Sequence, residues 1–355
     1  MCIHHGSSEE KTPCTWMISV DHLGIQASST RGCIKDTEWL QSFIVPCHHS
    51  FFNPSIYIDL PYKKLTCIRT VSHGQFGYII LARYDTIHGS KELYVKKPIH
   101  DDDVTVYEPY IQELVREGLH KFGWKDHIPR VIEVFRLHCG EVCFAMEQVE
   151  GGVILDSFLD SYPLHDLSYL FMDILYQVCS MVWIMNYKLG INHRDLKPSN
   201  FLLRKMPSTV HYTVMLDEEK IEWNTSYHLS LIDFGFACAG SLDTRRAHLS
   251  LSEVYSIADP CPKDGRDIFL FLGYLYSDYY TRMSPTVRAW FESWLAIPKS
   301  DLCGFLRKDK DISKRWLYYL SGSEDVFQLR SCPLTILRQL QEYRQERERE
   351  REREQ

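Results

Sequence analysis

The sequence lacks a basic excess. Lys and Arg number 40 against 47 Asp and Glu, a net charge of −7 over 355 residues, so nucleic-acid binding through broad phosphate neutralisation is not expected. A membrane-spanning run is missing as well. The most apolar window, Tyr169 to Leu189, is interrupted by Asp173, Gln177, Asn186 and Lys188. Those are too many polar groups for a span of roughly 20 residues, and a buried helix is expected instead. The opening residues, MCIHHGSSEEKT, show no cationic stretch leading into an apolar one, so no secretory leader is read. Twelve cysteines are scattered along the chain, none in CxxC spacing. That scatter points to reduced thiols in an intracellular protein, cytoplasmic or nuclear, rather than to a disulfide framework. Cys33, Cys47, His48 and His49, with His4 and His5, are possible zinc donors, but their spacing gives no metal motif.

What remains is ordinary for a globular chain, 45% hydrophobic and 25% charged. Residues 1–61 are irregular in pattern and are read as an N-terminal extension. Strand patterns follow: LTCIRTV and YIILARY around the turn SHGQFG, then ELYVKKP. A helix is expected from about Pro109 to Phe122, with Pro109 in its first turn and Gly123 as its stop. RVIEVFRL and EVCFAMEQV read as a hairpin, closed off by Glu150-Gly151-Gly152. Beyond it the patterns are mainly helical, at about Leu167 to Leu189, Asp267 to Tyr280, Pro285 to Ala296 and from Leu334. A strand-rich first part and a helix-rich second part imply an α+β chain of two lobes, 62–149 and 150–340. Residues 341–355 form a Glu/Arg tail. Its i,i+3 pairs are opposite in charge and its i,i+4 pairs alike, so a frayed helix or a disordered tail is expected.

The strongest signal is INHRDLKPSNFLL, Ile191 to Leu203, followed by SLIDFGFA, Ser230 to Ala237. Phosphoryl transfer asks a protein for an oriented hydroxyl, metal ions against the phosphates and a positive group near the developing charge. Asp195 can orient a hydroxyl and accept its proton. Lys197 can reach a γ-phosphate. Asn200 offers a neutral oxygen and Asp233 a carboxylate to a hard cation such as Mg²⁺.

The run HRDLKPSN with a downstream DFG resembles the eukaryotic-type protein kinases, in a divergent form. The resemblance covers about Leu65 to Leu340 and implies a two-lobe kinase fold, with a small β-rich N-lobe and a larger helical C-lobe. It makes Asp195 the catalytic base, Asn200 and Asp233 the Mg²⁺ ligands, and ATP the donor. Lys197 resembles the Ser/Thr branch, which implies protein substrates carrying Ser or Thr. Ser72, Gly74, Phe76 and Gly77 are similar to the Gly-rich loop over the ATP phosphates, with Ser72 replacing the first glycine. Lys96 fits the phosphate-binding lysine, with Tyr94 where the family has a small residue; sliding the register by one makes it Lys97. Glu108, Glu113 and Glu117 are the candidates for its helix partner, and helical phase favours Glu108. Met146, Glu147 and Val149 resemble the gatekeeper and hinge around adenine.

Two departures stand out. The interval between Asn200 and Asp233 is long, which implies a surface insertion at about 206–227. No Ala-Pro-Glu follows DFG, so the family's anchor for the activation segment is missing, although Asp267 fits the buried aspartate of the next long helix. The leading expectation is an active Ser/Thr kinase. The alternative is a pseudokinase scaffold. The oligomeric state is not legible.

Overall fold

The computed structural model describes residues 15–16, 64–73, 77–86, 89–98, 107–136, 142–216, 219–252, 254–255, 258–322 and 329–354. The chain divides into two compact units. One contains Asp36–Leu114 and Pro129–Gln148, the other Val115–Ile128 and Val149–Gln355.

The first unit is an antiparallel sheet. Its strands are β1 (Thr15–Trp16), β2 (Lys64–His73), β3 (Gly77–Thr86), β4 (Gly89–Pro98), β5 (Val131–Arg136) and β6 (Val142–Glu147), in the order β1-β2-β3-β4-β6-β5. The period-2 alternation of the strands builds two distinct apolar faces. Ile80, Ala82, Tyr84, Leu93, Val95, Cys143 and Ala145 pack on one side. Val131, Val134, Val142, Phe144 and Met146 pack on the other, with Ile79 and Tyr94 against them. Lys96 shares the parity of Tyr94 and lies across from Ile79 and Phe144. A buried carboxylate, Glu133, accepts the Tyr84 hydroxyl at 2.7 Å and so is not left unpaired. Helix α1 (Glu108–Lys121) has Pro109 in its first turn, where a missing N–H costs nothing. Gly123, at φ 84°, ends it. Gln112 Nε2 donates to Pro129 O at 2.8 Å, and Val131 N–H donates to Glu113 Oε2 at 3.3 Å. These bonds tie the first half of α1 to β5.

The second unit is mainly helical: α2 (Leu155–Ser161), α3 (Ser168–Lys188), α4 (Arg266–Tyr279), α5 (Pro285–Trp294), α6 (Leu302–Lys308), α7 (Lys310–Gly322) and α8 (Pro333–Glu354). Among the described residues, α3 is the one helix long and apolar enough to cross a membrane, and it is buried within the unit. A helix apolar on all sides belongs in a core, as its composition implied. Two small sheets complete the unit, β10-β9-β7 and β12-β11-β8. Their strands are β7 (Val153–Ile154), β8 (Ile191–Asn192), β9 (Phe201–Leu216), β10 (Glu219–Leu231), β11 (Cys238–Gly240) and β12 (Ala247–Ser250).

The interval 206–227 is the distal part of one long β9/β10 hairpin, paired from Phe201↔Leu231 out to Leu216↔Glu219. Half of it is docked rather than free in solvent. Ile221 and Trp223 are buried. Trp223 Nε1 and Thr225 Oγ1 both donate to Asp173 of α3, at 2.7 and 2.9 Å. Burial of two such side chains contributes roughly 1.5–3 kcal/mol each, enough to hold an extension that loop entropy alone would merely tolerate. The tail is helical to Glu354, continuous with α8. Arg344 lies over the Trp223 ring, 5.3 Å from its centroid. The expectation of reduced thiols fails for one pair: Cys238 and Cys261 form a disulfide, while among the described residues Cys179, Cys303 and Cys332 are free thiols. A spacing of 23 residues hid the pair. The chain returns to β11 at Pro260-Cys261, where Cys261 N–H donates to Arg245 O at 2.9 Å, and the two Cα atoms lie 6.3 Å apart. The cysteines and histidines weighed as zinc donors lie outside the described residues.

Candidate active site

The loop between β8 and β9 owes its shape to one carboxylate. Asp267, in the first turn of α4, accepts from Asn192 Nδ2 at 3.0 Å, His193 N–H at 3.0 Å and Arg194 N–H at 2.8 Å. Three donors on a fully buried acid fix the loop and hold Arg194 in the left-handed region, at φ 65°. His193 is buried beside Phe234, its Nε2–H donating to Ile232 O at 3.2 Å. Burial pushes its pKa down, against the pull of Asp267, Asp195 and Asp233, so it is a neutral packing group.

Asp195 then emerges with 4% of its surface exposed. Lys197 Nζ donates to both carboxylate oxygens, at 2.8 and 3.1 Å. Asn200 Nδ2 donates to Oδ2 at 3.0 Å and to the Asp195 carbonyl at 2.8 Å. The Tyr318 hydroxyl of α7 donates to Oδ1. Burial pulls the Lys197 pKa down, but the adjacent Asp195 outweighs it and leaves the ammonium raised. The β9/β10 hairpin brings the next acid close, since Ile232 N–H donates to Asn200 O at 3.0 Å just past the Phe201↔Leu231 pair. Asp233, at φ 66°, follows immediately, its Oδ1 accepting from Gly235 N–H at 3.4 Å.

The Asn200 amide nitrogen is committed to Asp195, and its side-chain oxygen is a neutral donor for a cation. That oxygen and the half-buried Asp233 carboxylate are a hard donor pair, suited to Mg²⁺. Among the described residues no group of three or more His, Cys, Asp or Glu could hold a metal ion. Two protein oxygens completed by phosphate and water are a donor set that Mg²⁺ accepts.

In the first unit, Lys96 Nζ meets Glu108 Oε1 at 2.6 Å, with side chains 13% and 6% exposed. Glu113 is instead bonded to the Val131 backbone, and Glu117 to Arg116. Ser72 is the next-to-last residue of β2, across from Ile79; Gly74 and Phe76 lie outside the described residues. Gly77 has a structural demand of its own: a Cβ there would lie 2.6 Å from Lys97 O, so only glycine allows β3 to pair with β4 at that point. Met146 is buried across from Tyr94, whose hydroxyl accepts from Gln148 Nε2 at 3.4 Å. Glu147 N–H donates to Arg130 O at 2.9 Å, and Val149 O accepts from Gly152 N–H at 3.0 Å.

A family model of the protein kinase domain matches residues 65–257, more than half of the chain. The chain belongs to the protein kinase family. It is 26% identical over 187 residues to the serine/threonine-protein kinase HAL4/SAT4 of Saccharomyces cerevisiae, 49% of this chain and 29% of that protein. It is 28% identical over 152 residues to human testis-specific serine/threonine-protein kinase 3, 42% of this chain and 46% of that one. The kinase chain thus spans less than half the length of these curated relatives. Among solved structures, the BubR1 kinase domain aligns over 57% of this chain and 60% of its own, at 18% identity and a TM-score of 0.34.

Sequence reasoning missed how this kinase anchors the segment after Asp233. Tyr255 is sandwiched between two guanidiniums, Arg194 at 5.1 Å and Arg266 at 4.8 Å from its ring centroid. Its hydroxyl donates to Arg194 O at 3.1 Å. Arg266 pairs with Asp259 at 3.5 Å, and Arg194 Nη1 donates to Ser250 Oγ at 2.7 Å. These contacts and the Cys238–Cys261 disulfide pin the segment without Ala-Pro-Glu. The triplet Ala258-Asp259-Pro260 was the available clue. Tyr318 was missed as well, and no local signal marks it.

Proposed function

We propose that this chain transfers the γ-phosphoryl group of ATP to Ser or Thr hydroxyls of proteins. The observation that carries the reading is the Asp195 carboxylate, held by Lys197 and Asn200 on a loop fixed by Asp267. Asp195 orients the acceptor hydroxyl and takes its proton as the hydroxyl oxygen bonds to the γ-phosphorus, the bond from that phosphorus to the bridging oxygen breaks and ADP leaves. Lys197 supplies positive charge beside it. Asn200 and Asp233 would hold Mg²⁺, which neutralises phosphate charge when bound. Lys96, held by Glu108 at 2.6 Å, serves the α- and β-phosphates. Ser72, Gly74, Phe76 and Gly77 cover the phosphates, and Met146, Glu147 and Val149 take the adenine. The two curated relatives, both named as serine/threonine-protein kinases, support the substrate class.

A second reading, a scaffold that keeps the fold without transfer, is favoured by one observation: Asp195 is already bonded on both oxygens. Labelled ATP with Mg²⁺ and a generic Ser/Thr substrate decides between them. Asp195→Asn should cut phosphate transfer by orders of magnitude and leave ATP affinity unchanged, because the amide keeps the size but cannot accept the proton. If wild type, Asp195→Asn and Tyr318→Phe all bind ATP and none transfers phosphate, the scaffold reading replaces the enzyme.

A further inference from the structure

We infer that Tyr318 is an internal stand-in for the substrate hydroxyl, held on Asp195 by helix α7, and that the acceptor site opens only when α7 is displaced. The inference rests on the phosphoryl-transfer reading and names how that same site is regulated.

A carboxylate offers about four acceptor positions, two on each oxygen. On Asp195 all of them are used. Lys197 takes one on each oxygen, Asn200 takes the second on Oδ2, and Tyr318 takes the second on Oδ1. The residue has almost no remaining solvent contact. An incoming Ser or Thr hydroxyl must reach within hydrogen-bond distance of this base to give up its proton, and no acceptor position is left for it.

Three of these four bonds come from residues two and five positions along the same loop. They are built into the loop's fold. The fourth comes from 123 residues away, on a separate helix. It is also chemically what the site expects, a neutral O–H donor aimed at the catalytic carboxylate. Burial and the neighbouring Asp195 push the Tyr318 pKa upward, so the phenol stays protonated. Its own lone pair accepts from the Tyr274 hydroxyl at 3.2 Å.

Helix α7 is fastened on the same side. Lys314, one turn before Tyr318, donates to both oxygens of Asp278 at 2.7 and 2.8 Å, and Lys310 lies 3.8 Å from the same carboxylate. Ser321, one turn after, meets the Tyr255 hydroxyl at 3.1 Å. The clamp depends on ion pairs and polar contacts, and Leu317 is the main apolar anchor. Ser321 O also accepts from Arg266 Nε at 3.2 Å, so displacing α7 also loosens the Tyr255–Arg266 anchor of the segment after Asp233.

The test compares wild type, Tyr318→Phe, Tyr318→Ala, Lys314→Ala and Asp195→Asn. It measures initial rates on a Ser/Thr peptide library with ATP–Mg²⁺, and hydrogen exchange over residues 310–322. Tyr318→Ala should raise kcat/KM for peptide roughly 10- to 100-fold, the bias supplied by one hydrogen bond to a charged group. KM for ATP should stay constant. Tyr318→Phe keeps the ring and should show a smaller gain with an intact fold. Lys314→Ala should show an intermediate gain, with faster exchange in α7. Activity in the Tyr318 variants over a silent wild type would support the inference most directly. If wild type transfers phosphate and the Tyr318 variants are no faster, or slower, the inference is overturned while the kinase reading stands; Tyr318 would then be positioning Asp195. If no protein in the set transfers phosphate, the kinase reading itself falls, and the inference with it.

Discussion

Lys96 and Lys97 are neighbours on β4 and point to opposite faces. Only Lys96 shares the face of Tyr94, Phe144 and Met146, and it meets Glu108. Lys96→Met should therefore lower kcat/KM for ATP by about 10²-fold or more, the scale of removing a positioned group at a phosphate, and Lys97→Met by far less. Steady-state kinetics on the two variants checks this, and the opposite ranking would move the register by one. This pair was only partly legible in the sequence. Alternation in ELYVKK separates the two lysines without fixing the register, and helical phase in α1 leans to Glu108 while leaving Glu113 and Glu117 open. Tyr318 had no comparable signal. One tyrosine on an amphipathic helix resembles any other, and its pairing with Asp195 exists only through a contact 123 residues apart in sequence.

At the scale of elements, the long strands β9 and β10 and the helix α8 form one packed group on α3. Trp223 donates to Asp173, and Arg344 caps its outer face. Trp223→Ala should destabilise the protein by about 3–5 kcal/mol, read as a lower midpoint in urea at an unchanged slope. Truncation from Gln345 should leave that midpoint in place, because alternating Glu and Arg bury no apolar area. A drop comparable to that of Trp223→Ala would show that the charged turns beyond Arg344 also dock. The excess length between Asn200 and Asp233 was visible as an insertion. Its docking was not, because the apolar residues Ile221 and Trp223 are spread through a polar stretch and find their partners only on α3. Helices α3, α4 and α5 were legible almost to their ends. The helix α6, only seven residues long, and α7, whose apolar residues fall among Lys310, Asp311, Lys314 and Arg315, were not.

For the molecule as a whole, three buried imidazoles set a dependence on acid. Burial pulls His127, His193 and His228 below the ordinary value of 6.5, and for His127 the adjacent His228 adds to it. Below pH 6.5 the unfolded chain therefore binds more protons at these sites than the folded one. Stability is fully present above 6.5 and is lost as the pH falls, with a slope of up to about 1.4 kcal/mol per pH unit for each histidine. Asp156 works in the opposite sense. Burial and Asp278 raise it to about 6, so its contribution is present at lower pH and lost as pH rises through 6. Burial raises Asp173 in the same sense, and three imidazoles against two carboxylates leave a net fall between pH 7 and 5. Urea midpoints across that range should drop, and His127→Gln should flatten the drop. A level profile would mean that the fold accepts the protonated rings.

The Cys238–Cys261 link has one more consequence. It turns the stretch between the two cysteines into a covalent ring, and the turn inside that ring exposes Leu242, Asp243, Thr244 and Arg246 to solvent. A brief trypsin digest cutting after Arg245 or Arg246 would open the ring without separating its ends. The nicked protein should run as a single full-length band on a denaturing gel without thiol, and split into two fragments once a reductant is added. Fragments that separate without reductant would show that the two sulfurs are not joined. If the ring is closed, a cut beside the segment that follows Asp233 leaves both halves of the molecule on one leash.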